Sequence, residues 1–209
     1  MCNKKQSSVF SSLSSTFRSS AQAVLCLLFS VLILLSALWS LPVMSSAWLR
    51  AWGDRCRAEK KLPRAERLYQ TASVIDPQNW SAPLGLGLVY SRYRFYELDP
   101  AAKEEWAFRA YDAFSAAYSH DTKKEEIVYG LGQANLALGH REEGLQYLRA
   151  AANYRRFNDF YWRKLGIELR KAGLYEEALA TFKYAAKLNR HNPTVKRNIQ
   201  WLEERMSED

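Results

Sequence analysis

Two glycine pairs, Gly85-Leu86-Gly87 and Gly130-Leu131-Gly132, come closest in this chain to chemical machinery. A Gly-x-Gly step can bring bare backbone N–H groups against a phosphate. A dinucleotide or nucleotide loop also needs a third glycine or a Gly-Lys-Ser/Thr at fixed spacing, and neither pair has one. His120, His140 and His191 stand apart, with no His-x-Glu, Cys-x-x-Cys or His-Glu-x-x-His arrangement around them. The sequence therefore offers neither a zinc set nor a nucleophile with its base. Cys2, Cys26 and Cys56 fall in three regions of different character, which excludes a disulfide framework, and one thiol in the folded part suits a reducing or an oxidising compartment equally. The expectation is a chain with no catalytic residue, cofactor or metal of its own, in which Gly87 and Gly132 serve packing.

What the glycines must position is visible in a repeat. At an offset of 34 residues, Leu131-Gly132 aligns with Leu165-Gly166, Gly139 with Gly173, and Glu142-Glu143 with Glu176-Glu177. Leu145 with Leu179 and Ala151-Ala152 with Ala185-Ala186 continue the match. The clearest unit reads Trp162-x2-Leu165-Gly166-x2-Leu169, then Ala178-x3-Phe182-x2-Ala185. In period and in these residues the chain resembles the tetratricopeptide-repeat (TPR) family, whose unit is a pair of antiparallel helices joined closely through small side chains. Earlier units carry the same pattern: Gly53, Ala65, Tyr69, Ala72 and Pro77, then Leu86-Gly87, Tyr90, Ala110, Phe114 and Ala117.

The register gives four units, 46–79, 80–124, 125–158 and 159–192, the second with 11 additional residues, followed by a capping helix and acidic tail over 193–209. Pro63 and Pro100 sit where second helices should begin, with Asp99 as an N-cap. Gly139 and Gly173 sit at turns, and the Glu pairs that follow suit the positive end of the next helix. Val195, Ile199, Leu202 and Met206 form an apolar stripe that closes the open end of a solenoid.

The resemblance implies a ligand face built from first-helix positions 2, 5, 9 and 12 of each unit. Those places hold Arg50, Asp54 and Arg57, then Leu84, Leu88 and Ser91, then Tyr129, Gln133 and Leu136, then Phe160, Arg163, Ile167 and Arg170. Arg50, Arg57, Tyr129, Gln133, Phe160, Arg163 and Arg170 are the candidate partner-binding residues, with rings for burial and guanidinium groups for carboxylates. The chaperone-binding clamp of the family places Lys and Asn where this chain has Arg50 and Asp54, so those roles do not carry over. Tyr93, Phe95 and Tyr96 crowd the insertion and form a candidate interaction patch, either for a partner or for the membrane interface.

Ahead of the repeats, residues 1–20 form a basic, Ser-rich tail. Residues 21–44 contain no charge, and a helix through 21–41 would be about 32 Å long, enough for a hydrocarbon layer of about 30 Å. The segment is expected to be a transmembrane signal anchor; a cleaved signal, with Pro42 and Ser45-Ser46-Ala47 behind it, is the alternative, although secretory cores run only about 7–15 residues. The first 45 residues contain Lys4, Lys5 and Arg18 but no acid, which favours a cytoplasmic N-terminus and an exported repeat domain. The net charge of +8 is mixed along the repeats, so nucleic acid is not the expected partner.

The expected fold is all-α: an N-terminal transmembrane helix, a solenoid of four helix pairs, and a capping helix. The expected function is a single-pass membrane scaffold for protein–protein interactions that recruits or organises a membrane-associated assembly, its partner a peptide or helix, acidic in character and membrane-proximal. The alternatives are a cytosol-facing receptor or adaptor for a peptide or chaperone, and an accessory subunit of a membrane enzyme.

Overall fold

The computed structural model describes residues 45–207; the expected anchor at 21–44 lies outside them. Among the described residues no helix is long and apolar enough to cross a membrane. The chain runs through α1 (residues 45–58), α2 (Leu62–Ile75), α3 (Ser81–Tyr96), α4 (Pro100–His120), α5 (Glu125–Ala137), α6 (Arg141–Tyr154), α7 (Asp159–Lys171), α8 (Tyr175–Leu188) and α9 (Pro193–Ser207). Connections of three to five residues make consecutive helices antiparallel. The first helices α1, α3, α5 and α7 therefore run parallel, as does α9. Their N-termini and the loops leading into them share one edge, the entry edge, where residue 45 also lies. The turns within each pair share the opposite edge.

Local chemistry sets the helix ends. Asp99 accepts a hydrogen bond from the Ala102 N–H at 2.9 Å, with Pro100 opening α4 as expected. Asn158 caps α7 through Phe160 N–H, and Asn192 caps α9 through Thr194 N–H. Gly139 and Gly173 adopt φ of +86° and +80°, and the next N–H reaches back five residues in each case, His140 to Asn135 O and Leu174 to Leu169 O.

The corresponding residue of the first unit is Lys60, with φ +62° and the same backward bond from Lys61 N–H to Cys56 O. A left-handed L-residue costs about 1–2 kcal/mol, whereas glycine costs about 0.5–1 kcal/mol in unfolded-state freedom. Lys60→Gly is accordingly expected to stabilise the domain by about 0.5–1 kcal/mol, read as a higher denaturant midpoint at unchanged slope. A lowered midpoint would show that the turn carries no strain.

In the second unit that position is Arg94, and the helix does not turn there. Relative to the third unit, α3 gains one turn at its C-terminus and α4 two turns at its N-terminus, which together absorb the 11 additional residues. Eleven residues are about three turns of helix, so α4 regains its phase and Ala110, Phe114 and Ala117 face inward like Ala178, Phe182 and Ala185.

The core is one recurring contact. A large residue of each second helix, Tyr69, Phe114, Leu148 and Phe182 in turn, is buried against a glycine of its own first helix. Phe114 is clamped twice: a Cβ on Gly87 would stand 2.6 Å from its ring, and one on Gly130 in the following unit 2.5 Å. Tyr69 is held likewise between Gly53 and Gly85. Both Gly-x-Gly pairs are thereby explained, the second glycine receiving its own unit's side chain and the first the preceding unit's ring. Val195 and Leu202 of α9 are fully buried, and Ile199 packs on the same cluster.

Candidate functional site

The groove forms where the first helices lie side by side. About 480 Å³ is bounded by Asp54 and Arg57 of α1, Trp80, Ser81, Leu84 and Leu88 in and before α3, Glu126 and Tyr129 of α5, and Phe160 and Tyr161 of α7. Three sequence-derived candidates, Arg57, Tyr129 and Phe160, are thus brought together by residues from all four units. The ring of Tyr129 lies 5.5 Å from Phe160 and 5.6 Å from Tyr161, both edge-on. Burial, reinforced by the nearby Glu168 carboxylate, pushes the Tyr129 hydroxyl up to about 12, so it remains a neutral donor across the physiological range.

At the first-unit end, Arg57 is committed within the domain. Its Nη2 reaches Asp54 at 3.0 Å, its Nε donates to the Tyr69 hydroxyl at 3.3 Å, and that hydroxyl donates to Asp54 at 2.7 Å. Arg50 donates from Nη1 to Ser81 Oγ. Lys61 pairs with Glu59 at 2.8 Å.

Arg50, Gln133, Arg163 and Arg170 do not line this cavity, but they share its helix face at positions 5, 9 and 12. A common feature sets them apart: Arg50 Nε, Gln133 Nε2, Arg163 Nε and Arg170 Nε are buried donors without a hydrogen-bond partner. Only Ser73 and Arg94 share that condition among the described residues. Arg163 and Arg170 also lack a carboxylate partner; they lie over the rings of Phe160 and Trp201 at 5.6 and 4.9 Å.

The insertion aromatics separate. Tyr93 turns inward, its ring 4.8 Å from Trp106 and its hydroxyl donating to Glu66 at 3.0 Å. Phe95 and Tyr96 stay exposed at the tip of the extended pair, edge-on to each other at 5.3 Å, with Leu98 beside them. The tip lies on the turn edge, opposite residue 45. Trp80, Ser81, Glu126 and Tyr161 are groove residues the sequence reading missed. Ser81 and Glu126 occupy position 2 and could have been found by applying that position to every unit; Trp80 and Tyr161, at positions 1 and 3, had no such signal. Among the described residues no cluster of His, Cys, Asp or Glu could hold a metal ion.

Solved structures of the same shape settle the architecture. MamA superposes with a TM-score of 0.63 at 19% identity, over 77% of this chain and 81% of that one. PilF of Pseudomonas aeruginosa gives 0.67 at 18%, over 80% and 71%. YrrB, described as a TPR protein with an unusual peptide-binding site, gives 0.60 at 20%, over 76% of each. The fold is the TPR solenoid. Neither a family model nor a curated protein matches the chain. As a TPR solenoid, it presents the groove and the four unpartnered donors on the face formed by its first helices.

Proposed function

We propose that this chain is a membrane-anchored TPR scaffold without catalysis of its own, which holds an acidic peptide or helix on its first-helix face. The observation that carries the reading is an aromatic groove whose first helices also carry, at the same family positions, four side-chain N–H groups without a partner in the domain. Rings supply burial, and guanidinium groups with an amide supply the polar pairing that carboxylates would complete. YrrB's peptide-binding site is consistent with peptide capture on this fold.

Anchoring rests on the charge-free stretch 21–44 joined to α1 with no intervening linker. The acid-free basic tail favours an exported domain. Arg50, Arg55, Arg57, Lys60 and Lys61 on the other flank compete with that tail; of these, Arg50, Arg57 and Lys61 have side-chain partners inside the domain.

Photo-crosslinking from position 133 or 163 of the full chain in native membranes, read by mass spectrometry, tests the scaffold. A discrete membrane or membrane-proximal partner with a carboxylate-rich segment is expected, and absence of any reproducible crosslink overturns the reading. Topology is tested by Ser207→Cys in a variant whose other three cysteines are replaced. Labelling of intact cells or spheroplasts by an impermeant maleimide is expected; labelling only after lysis would favour the cytosol-facing receptor instead.

A further inference from the structure

The loop between α6 and α7 presents an apolar surface that neither the groove nor the core uses. Phe157 is 76% exposed, with Tyr154 just before it at 51%. The turn is nevertheless fixed: Asn158 N–H donates to Arg155 O at 2.8 Å, and Trp162 Nε1 donates to Arg156 O at 2.9 Å. Arg156 lies 5.0 Å over the Phe157 ring and has no carboxylate partner, while Arg155 pairs with Glu125 at 2.5 Å and keeps most of its surface in solvent. At the place of Phe157 the other units carry Gln78, Lys123 and His191, so the repeat does not require phenylalanine there.

This loop lies on the entry edge, where residue 45 leads back to the apolar segment. The two edges differ in charge. The four loops of the entry edge contain five cations, Lys123, Lys124, Arg155, Arg156 and Arg190, against two carboxylates, Asp76 and Asp121. The turns of the opposite edge contain two cations and three carboxylates. Trp48, in the first turn of α1 and 62% exposed, also belongs to the entry edge.

We propose that the entry edge rests on an anionic bilayer, with Phe157 and Tyr154 in the headgroup layer and Arg155 and Arg156 on lipid phosphates. The inference builds on the anchored reading above. An aromatic ring flanked by arginines suits the interface, where the ring sits at headgroup depth and each basic residue near an anionic surface adds attraction. On the anchored reading the chain enters the domain at this edge, and the positive loops favour anionic lipids in whichever leaflet faces it.

The test uses the full chain reconstituted in phosphatidylcholine vesicles with or without phosphatidylserine, spin-labelled near the headgroup in both leaflets. Cys2 and Cys26 are replaced by serine, the buried Cys56 is retained, and an environment-sensitive fluorophore is attached through Phe157→Cys or, as the opposite-edge control, Phe95→Cys. Strong quenching at position 157, greater with phosphatidylserine, and little at position 95 is the expected result. Arg156→Gln is expected to lower the docked-to-undocked ratio about fivefold.

If the protein resists carbonate extraction but position 157 is quenched no more than position 95, the contact is overturned and the anchor stands. If carbonate releases the protein, both fall. Shielding of position 157 only after membrane extract is added, with no quenching by lipid, assigns the loop to a protein and overturns the bilayer contact.

Discussion

Phe114→Ala is expected to lower the unfolding free energy by about 3–5 kcal/mol, among the largest effects of a single substitution in the domain. The ring is fully buried and belongs to two units at once, lodged between Gly87 of α3 and Gly130 of α5. Its loss opens a cavity in the cluster it shares with Leu84, Ile127 and Leu131, on the side where Gly87 and Gly130 offer no side chain to fill it. The converse substitution decides between two opposed effects. Gly130→Ala should stabilise α5 by about 1 kcal/mol on helix propensity alone. The new methyl would stand 2.5 Å from the Phe114 ring, and overpacking costs about 1–3 kcal/mol or more. Net destabilisation is expected, and Gly130→Ala combined with Phe114→Leu should cost less than the sum of the two single changes. Urea titration of all three variants measures this. Additive costs would show that ring and glycine are not coupled.

Arg163→Glu with Arg170→Glu is expected to abolish the partner crosslink while lowering the unfolding free energy by only about 1–2 kcal/mol, so that the domain stays folded. Among the described residues neither guanidinium makes an ion pair and their Nε atoms have no hydrogen-bond partner, so the internal loss is confined to the two cation–π contacts with Phe160 and Trp201, about 0.5–1 kcal/mol each. At a bound carboxylate the reversal replaces attraction by repulsion in a desolvated site. Truncating one member of a buried charge pair already costs about 2–5 kcal/mol, roughly thirtyfold or more in Kd. Tyr129→Ala is less clean, because it also removes contacts with Phe160 and Tyr161. Its stability cost must be measured beside its binding cost. An unchanged partner set in the double arginine variant would remove the first-helix face from consideration.

The parts of the fold that follow from local chemistry were legible. Gly139 and Gly173 announce left-handed turns because only glycine is comfortable there, and Asp99-Pro100 announces a helix start because the side chain and the fixed φ act within one turn. The requirement on Gly85 and Gly130 was not legible, since it comes from a ring in the preceding unit and leaves no trace in their own helix. Lys60 was hidden for the opposite reason: its neighbours impose a conformation that its own type gives no reason to expect.

The site was legible where helix periodicity reports it. Tyr129 and Phe160 reach the groove from family positions, whereas Trp80 and Tyr161 reach it from helix entrances that the periodic rule does not cover. Tyr93 and Tyr96 look alike in sequence. Their separation depends on Trp106, which the extension of α4 brings opposite Tyr93. Phe157 gave no signal because a loop has no period against which an apolar residue stands out.

The second unit grew by whole turns and left its neighbours in register. Chain length in such an array can change only in steps close to a multiple of the helical period. An insertion of about five residues would rotate Phe114 away from Gly87 and Gly130, whereas one of seven or eleven keeps it facing them. Variation in size among similar chains should therefore be discrete, and it should concentrate on the turn edge, where a longer pair projects past its neighbours without changing their register.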